Sequence, residues 1–176
     1  MIPFAAWESV PLGGTLWFIG NLKRLSQVAE TKLAQHEADA LLTVEKHRVS
    51  ERAITFSSLG QREELELLSA DKREKFFLDL SRGRVEIRRV KMQNRARNTV
   101  VLARLDINGR VHTNPDDQEI ATPHLHLYRE GYGYRWAFSV PSDKFTNLDD
   151  IWITLHDFMR YCNITKPPII KRDLFT

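Results

Sequence analysis

The sequence predicts an α+β fold in which an antiparallel β-meander is packed on one face by N-terminal and C-terminal helices. Strand-like segments with alternating apolar residues, separated by turn residues, run from about residue 76 to residue 140. Such alternation places successive side chains on opposite faces of a sheet. On both sides of this region, apolar residues recur at three- and four-residue spacing, which is typical of amphipathic helices. A mainly antiparallel sheet with one covered face follows from that order.

Composition is that of an ordinary globular protein. The 176 residues are 42% hydrophobic and 28% charged, which is enough for one sizeable core. The single cysteine, Cys162, excludes an internal disulfide and fits a reducing compartment, so we expect a cytoplasmic protein. No stretch of the sequence is long and apolar enough to cross a membrane, so we expect no membrane contact. We divide the chain into an N-terminal apolar segment and helix, residues 1–50, and an α+β core, residues 51–176, which together form one compact unit.

Asn21 can cap the first predicted helix. We interpret His36, on the stripe of this helix, as a histidine at a helix interface rather than as a catalytic group. A short strand at residues 53–57 and a brief acidic helix at residues 61–68 are expected next. The apolar stripe of the first helix comprises Leu22, Leu25, Ala29, Leu33, His36 and Ala40.

Five further strands form the predicted meander. A change of apolar parity predicts a bulge near Arg88 and Arg89. Asn108 and Gly109 give the strongest hairpin signal in the chain, with a short return strand at residues 110–112. The five strands are expected at residues 76–80, 85–92, 98–107, 123–129 and 134–140.

The last strand should point Trp136, Phe138 and Val140 into the core. Thr146 or Asn147 caps the helix that follows it. Two aspartates in the first turn of this helix suit the positive end of its macrodipole. Its buried stripe comprises Ile151, Leu155, Phe158 and Cys162.

The most informative motif is PHLHLY at residues 123–128, in which polar and apolar residues alternate. His124, His126 and Tyr128 should share the exposed sheet face, where neighbouring strands and the preceding turn add basic residues and a third histidine. This set meets the needs of metal-free RNA cleavage. One group removes the ribose 2′-hydroxyl proton, a second protonates the leaving oxygen, and an arginine stabilises the phosphorane. The candidate catalytic residues are His124, His126, Tyr128, Arg104, Arg135 and His112.

Two other interpretations of this motif remain open. His-x-His is also a metal-ligand spacing, and His112 with Asp106 or Asp116 could complete a ligand set. Because neither an H-E-x-x-H motif nor a cysteine ligand accompanies it, we rank metal-free chemistry first and expect no cofactor. In the structural interpretation, the histidines only hydrogen-bond across the sheet, and the Asn-Pro-Asp turn only fixes the backbone.

Basic residues concentrate between residues 82 and 97, where seven basic residues stand against one acidic residue. The whole chain has a net charge of only +3, so the remainder is mildly acidic. Arginine dominates this stripe and suits bidentate phosphate contacts. The alternative is a solvated strand whose arginines prevent edge pairing. The candidate nucleic-acid-binding residues are Arg84, Arg88, Arg89, Lys91, Arg95 and Arg97.

Several motifs together resemble a family of small uncharacterised bacterial and phage proteins. The resemblance covers about residues 76–162, and the family's H-x-N-P-D turn continues with glycine where this chain has Asp117. Association of the family with mobile elements implies a role in genetic conflict. A looser likeness, at the level of fold, is to barnase- and RelE-like ribonuclease toxins. The motifs are FLDLSRG at 77–83, RLDING at 104–109, HTNPD at 112–116, PHLHLY at 123–128 and GYGYRW at 131–136.

Two functions from different classes follow as expectations. The first is an RNA-directed, metal-independent ribonuclease-like toxin that uses paired histidines and has an antitoxin as a possible protein partner. The second is a non-enzymatic, anti-CRISPR-like protein of a phage or mobile element that binds and inhibits a host nucleoprotein defence complex. Its docking surface would be aromatic and apolar, because such residues anchor interfaces. The candidate anchors are Trp7, Trp17, Phe18 and Ile19.

Overall fold

The computed structural model describes residues 33–55, 62–83 and 89–172, which form two helices and twelve strands. No helix among these residues is long and apolar enough to cross a membrane. The helices are α1 (Gln35–Thr43) and α2 (Ile151–Tyr161). The strands are β1 (Lys46–Arg48), β2 (Ile54–Thr55), β3 (Arg62–Ser69), β4 (Lys75–Arg82), β5 (Val90–Ala96), β6 (Val100–Ile107), β7 (His112–Thr113), β8 (Glu119–Ile120), β9 (His124–Arg129), β10 (Gly133–Ser139), β11 (Ile164–Lys166) and β12 (Ile170–Lys171).

Eight of these strands form one sheet in the order β10-β9-β6-β5-β4-β3-β1-β11. Neighbouring strands are antiparallel except β1 and β11, which run parallel. The pairs β7 with β8 and β12 with β2 are separate from this sheet. The predicted α+β class with a mainly antiparallel sheet is therefore confirmed.

The strand register separates an apolar face from a polar face. Leu80, Met92, Leu105 and Leu125 lie opposite one another across β4, β5, β6 and β9, and all are buried. Because paired residues share a face and neighbours along a strand alternate, the adjacent row lies on the other face. That row consists of Ser81, Lys91, Asp106 and His124.

Both helices contribute to the same apolar cluster as the sheet. Ala38 and Leu41 are the buried residues of α1. Leu155 and Phe158 are buried on α2, as the predicted stripe required, and Asp150 caps that helix by accepting from two backbone amides. Leu33–Thr176 form one compact unit, and the division of the chain at residue 50 stays a prediction.

A buried lysine joins the ends of the two helices. Lys46, at 0% exposure, donates from Nζ to the carbonyls of Leu42, Val44 and Cys162 at 2.8–2.9 Å. Its ammonium also lies 4.7 Å from the ring centroid of Phe76. The free carbonyls at the C-terminus of a helix stabilise a nearby cation. Burial nevertheless lowers the pKa of Lys46 to about 8. The lysine therefore satisfies the buried carbonyl of Cys162 and the partly buried carbonyls of Leu42 and Val44.

Two predicted elements are wrong. The acidic segment expected as a helix at residues 61–68 is strand β3. Its leucines at 65 and 67 alternate with glutamates, and pairing with β4 over seven residues outweighs the helix propensity of Glu and Leu. The return strand expected after Asn108 and Gly109 does not pair with β6. Instead β7 pairs with β8, so the Asn-Gly turn leads into an excursion from the sheet.

Two finer expectations also need correction. His36 is exposed, because the buried face of α1 carries Ala38 and Leu41 instead. Phe138, expected in the core, is 40% exposed, since β10 is the last strand of the sheet and has a neighbour on one side only. The bulge predicted near Arg88 and Arg89 falls at the border of the described residues and stays a prediction; within β5, the pairing with β6 shifts register between Asn94 and Arg95.

We expect Lys46→Met to lower the free energy of unfolding by about 2–4 kcal/mol, because one buried and two partly buried carbonyls lose their donor. Denaturant titration measures this change. Lys144→Met at an exposed position is the matched control and should shift stability by less than about 0.5 kcal/mol. Equal effects of the two substitutions would contradict the anchoring role of Lys46.

Candidate functional site

The pairing of β6 with β9 assembles a polar cluster on the face opposite the core. Asp106 lies opposite His124, and Arg104 lies opposite His126. The strands alternate, so all four side chains project from the same face. The structure thus brings together four of the residues that sequence analysis had singled out.

A third imidazole completes the cluster. The ring centroid of His112 lies 4.6 Å from that of His126 and 5.7 Å from that of His124. The centroids of His124 and His126 are 4.9 Å apart. His112 comes from β7, outside the eight-stranded sheet, so the cluster joins two separate pieces of backbone.

Hydrogen bonds to backbone carbonyls define the tautomers of the two strand histidines. Nδ1 of His124 lies 3.2 Å from the carbonyl oxygen of Ala121, and Nδ1 of His126 lies 3.0 Å from that of Tyr134. A carbonyl only accepts, so each Nδ1 carries the hydrogen. In the neutral rings, both Nε2 atoms then carry a lone pair. These atoms lie 3.9 and 3.8 Å from Oδ2 of Asp106.

Arg104 holds the carboxylate of Asp106 through two hydrogen bonds. Its Nε lies 2.8 Å from Oδ1, and its Nη2 lies 2.6 Å from Oδ2. The same Nη2 is 3.5 Å from Nε2 of His126, and the guanidinium lies 5.2 Å from the ring centroid of Tyr134. Burial pushes the pKa of Asp106 upward, but the hydrogen bonds and charge of Arg104, with the charge of Lys91, outweigh burial and lower it.

Burial keeps the strand histidines neutral. Burial, followed by the nearby charge of Arg104, lowers the pKa of His126 to about 4. Burial also lowers the pKa of His124, against the hydrogen bond to Ala121 and the charge of Asp106. At neutral pH both rings are therefore unprotonated and offer Nε2 as a proton acceptor or as a metal ligand.

The expectation that this face is open to solvent is wrong. His124 and His126 are only 2% and 1% exposed. The cover is residues 108–123, the excursion between β6 and β9, hereafter the cover segment. It places the ring of His112 and the carbonyl of Ala121 against the two histidines. Alternation within one strand predicts a shared face, but it carries no information about what folds over that face.

The HTNPD motif forms the turn at the tip of the cover segment. The amide of Asp117 donates to the carbonyl of Asn114 at 2.9 Å, with Pro115 at the second position of the turn, where its fixed φ is favoured. Asp117 has a φ of 65°. In hairpins of this length, the residue after such a turn adopts a left-handed backbone conformation and is usually glycine. Aspartate tolerates this conformation better than most other residues do.

Two side chains of the motif attach the cover segment to the outer edge of β10. The side-chain oxygen of Asn114 accepts a hydrogen bond from the backbone N–H of Ala137 at 2.8 Å, and its side-chain nitrogen donates to the backbone carbonyl of Ala137 at 3.0 Å. Nε2 of His112 donates to the carbonyl of Arg135 at 2.8 Å. Asn114 thus occupies the hydrogen-bonding positions of an additional strand. Sequence analysis named the turn but not this role, which depends on contact with a strand more than 20 residues away.

For Tyr128 and Arg135, the remaining candidate catalytic residues, the structure shows a hydrogen-bonded hydroxyl and an exposed side chain, respectively. The hydroxyl of Tyr128 accepts from the amide of Leu33 at 2.7 Å and donates to the carbonyl of the same residue at 2.8 Å. It therefore ties the chain before α1 to β9. The side chain of Arg135 is exposed, and only its backbone carbonyl contacts the cluster.

Two arginines of the basic stripe that the structure describes, Arg95 and Arg97, pair with acidic side chains. Arg95 forms ion pairs with Asp79 at 2.5 Å and Glu64 at 2.6 Å, and these contacts raise its pKa. Arg97 lies 3.3 Å from Glu74. These pairings weaken the field that a phosphate backbone would experience, because each cation already has an opposite charge beside it.

Among the other candidates in the stripe, the structure describes Lys91 and Arg89. Lys91 lies 3.9 Å from Oδ2 of Asp106 and belongs to the cluster rather than to a separate surface. Arg89 is half-buried. Arg84 and Arg88 lie outside the described residues, as do the proposed docking residues Trp7, Trp17, Phe18 and Ile19.

Comparison with known proteins gives one match. A family model described as a family of unknown function (DUF6978) matches residues 33–164, which include every described element from α1 to α2. No curated protein and no solved structure matches this chain.

We expect the free energy of unfolding of the metal-free protein to fall by about 3 kcal/mol as the pH drops from 6.5 to 4. The pKa of His126 is lower in the folded protein, about 4, than in the unfolded chain, so the unfolded chain binds the proton first. Urea titrations across this range measure the loss. His126→Gln should flatten the profile, whereas His36→Gln at an exposed site should not; identical profiles for both would contradict this origin.

We expect Asn114→Ala to lower the free energy of unfolding by about 2–3 kcal/mol, because the amide and carbonyl of Ala137 lose their partner. Hydrogen exchange measured by NMR should show faster exchange of the Ala137 amide. Asp116→Ala, an exposed position in the same turn, is the matched control. Unchanged exchange at Ala137 would show that the side chain of Asn114 does not protect this edge.

Proposed function

The chain belongs to the DUF6978 family, whose function is unknown, and we propose that its histidine cluster cleaves phosphodiester bonds in RNA without a metal ion. We place this activity in a bacterial or phage conflict system, where the protein is a toxin-like ribonuclease. The observation that carries the proposal is the grouping of three imidazoles, 4.6–5.7 Å apart, beside one guanidinium. RNA is the substrate because its 2′-hydroxyl can act as the nucleophile.

The tautomers support a division of roles. His126, with a hydrogen on Nδ1 and a lone pair on Nε2, takes the proton from the 2′-hydroxyl. The 2′-oxygen then bonds to phosphorus and the bond to the 5′-oxygen breaks, which leaves a 2′,3′-cyclic phosphate. His112, the partly exposed ring, takes up a solvent proton and delivers it to the leaving 5′-oxygen. His124 keeps Asp106 and the base in position.

Arg104 stabilises the phosphorane, because its Nη2 lies close to Oδ2 of Asp106 and to Nε2 of His126, the proposed base. Arg135, on the adjacent edge strand with an exposed side chain, is a second phosphate contact. We assign no proton transfer to Tyr128, because its hydroxyl bonds to Leu33. We also infer that both helices back the apolar face of the sheet, which leaves the polar face for the substrate.

Access to the buried histidines requires displacement of the cover segment. Its side-chain attachments at the β10 edge are three hydrogen bonds: one donated by His112, one donated by Asn114, and one that Asn114 accepts from Ala137. Hydrogen bonds of this kind contribute about 1 kcal/mol each, so opening is compatible with an intact sheet. The proposal therefore includes a closed resting state, an open state that admits RNA, and reclosure of the cover segment over the bound RNA, which returns His112 to the cluster for its proton transfer.

The test is cleavage of a mixed RNA pool by purified protein in the presence of EDTA. We expect wild type to cleave, and His124→Ala/His126→Ala to lose at least about 100-fold in rate because proton transfer is lost. His36→Ala/His156→Ala removes two exposed histidines outside the cluster and should keep full activity. Full activity in the cluster variant, or no cleavage by folded wild type, would contradict the proposal.

One observation favours the second candidate, a non-enzymatic protein that binds a host nucleoprotein complex. Tyr132, Tyr134 and Phe138 are 47%, 42% and 40% exposed at the end of the sheet. Exposed aromatics are common anchors of protein interfaces. Folded wild type that leaves RNA intact but binds a partner through these residues would favour this function, with the histidines as part of the fold.

A further inference from the structure

We propose that Asp106, His124 and His126 form a binding site for one divalent metal ion, with Zn²⁺ the ion that fits the donors best. Binding itself does not depend on the proposed cleavage. One consequence does rest on the proposed function: a bound ion would occupy the Nε2 lone pairs and inhibit cleavage.

The donor atoms already converge. One oxygen of Asp106 and one nitrogen from each histidine lie within 4.8 Å of one another. The nitrogens are 3.9 and 3.8 Å from Oδ2 of Asp106. Ligand bonds of about 2.0–2.1 Å in a tetrahedral site put donors roughly 3.3 Å apart. To close the site, the two nitrogen–oxygen distances would therefore have to shorten by about half an ångström, and the widest donor pair, up to 4.8 Å apart, by roughly 1.5 Å.

The hydrogen bonds behind the donors are those of metal-binding histidines. A ligating imidazole commonly donates its other N–H to a carbonyl or carboxylate, which fixes the ring and its tautomer. His124 donates from Nδ1 to Ala121, and His126 does so to Tyr134. Both rings thus present Nε2 to the same point, the region around Oδ2 of Asp106. Two imidazoles and one carboxylate are a donor set for Zn²⁺, with water in the fourth position.

Arg104 is the cation that now occupies this point. Its Nη2 lies 2.6 Å from Oδ2 of Asp106 and 3.5 Å from Nε2 of His126. A metal ion must displace Nη2, while the second bond, from Nε to Oδ1, can keep the carboxylate oriented. Arg104 therefore competes with the metal, and Arg104→Gln should bind the ion more tightly than wild type does.

The experiment is titration of untagged, metal-free protein with Co²⁺, followed by competition with Zn²⁺. We expect one equivalent of Co²⁺ to produce the visible absorption of a tetrahedral ion, and Zn²⁺ to remove it. Asp106→Asn, His124→Gln and His126→Gln should each weaken binding at least tenfold, whereas His36→Gln should leave it unchanged. Arg104→Gln should strengthen binding about tenfold. Circular dichroism verifies that each variant is folded.

Lack of saturable binding in wild type would overturn the inference, as would equal binding in the three ligand variants. If those variants fail to fold, the direction of the Arg104→Gln effect decides, because weaker or unchanged binding in that variant contradicts displacement of the guanidinium. The RNA assay separates this inference from the proposed function. Metal binding without cleavage rejects only the ribonuclease, and cleavage without metal binding rejects only the metal site.

Discussion

The pairing of β6 with β9 is the constraint on which both the core and the candidate site depend. One register places Leu105 opposite Leu125 on the apolar face. The same register places Asp106 opposite His124 and Arg104 opposite His126 on the polar face. A slip of one residue would exchange the two faces, because side chains alternate with a period of two. Burial of the paired leucines therefore fixes the register of β6 and β9, and this register determines which ionisable side chains lie next to each other on the polar face.

The cover segment turns a polar surface into a buried network. Burying His124 and His126 costs free energy, which their carbonyl partners and the Arg104–Asp106 pair offset. Because the rings remain neutral and only one guanidinium lies among them, the cluster contains more electron-pair donors than cations. This imbalance underlies both proposals: a free Nε2 can accept a proton from a substrate, or it can bind a metal ion.

The features that the sequence predicted correctly depend on neighbouring residues, whereas those that it missed depend on contacts between distant residues. Alternation in PHLHLY predicted that His124 and His126 share a face, since that depends on one strand alone. The partnership of these histidines with Asp106 required the register between strands. The occupied hydroxyl of Tyr128 depends on Leu33, 95 residues away, which no local pattern encodes. At residues 61–68 the local pattern was itself ambiguous, because glutamate and leucine favour helices while their alternation suits a strand.

The side chain of Asn114 has a consequence for the solution behaviour of the molecule. Strand β10 ends the sheet, and an unoccupied edge is a template on which another polypeptide can add a strand. Asn114 saturates the outward amide and carbonyl of Ala137, and His112 saturates the carbonyl of Arg135. The motif that contributes an imidazole to the cluster thereby also discourages self-association along this edge. Displacement of the cover segment for a substrate would at the same time leave the outer edge of β10 unpaired. Access to the site is therefore coupled to the risk of polymerisation through this edge.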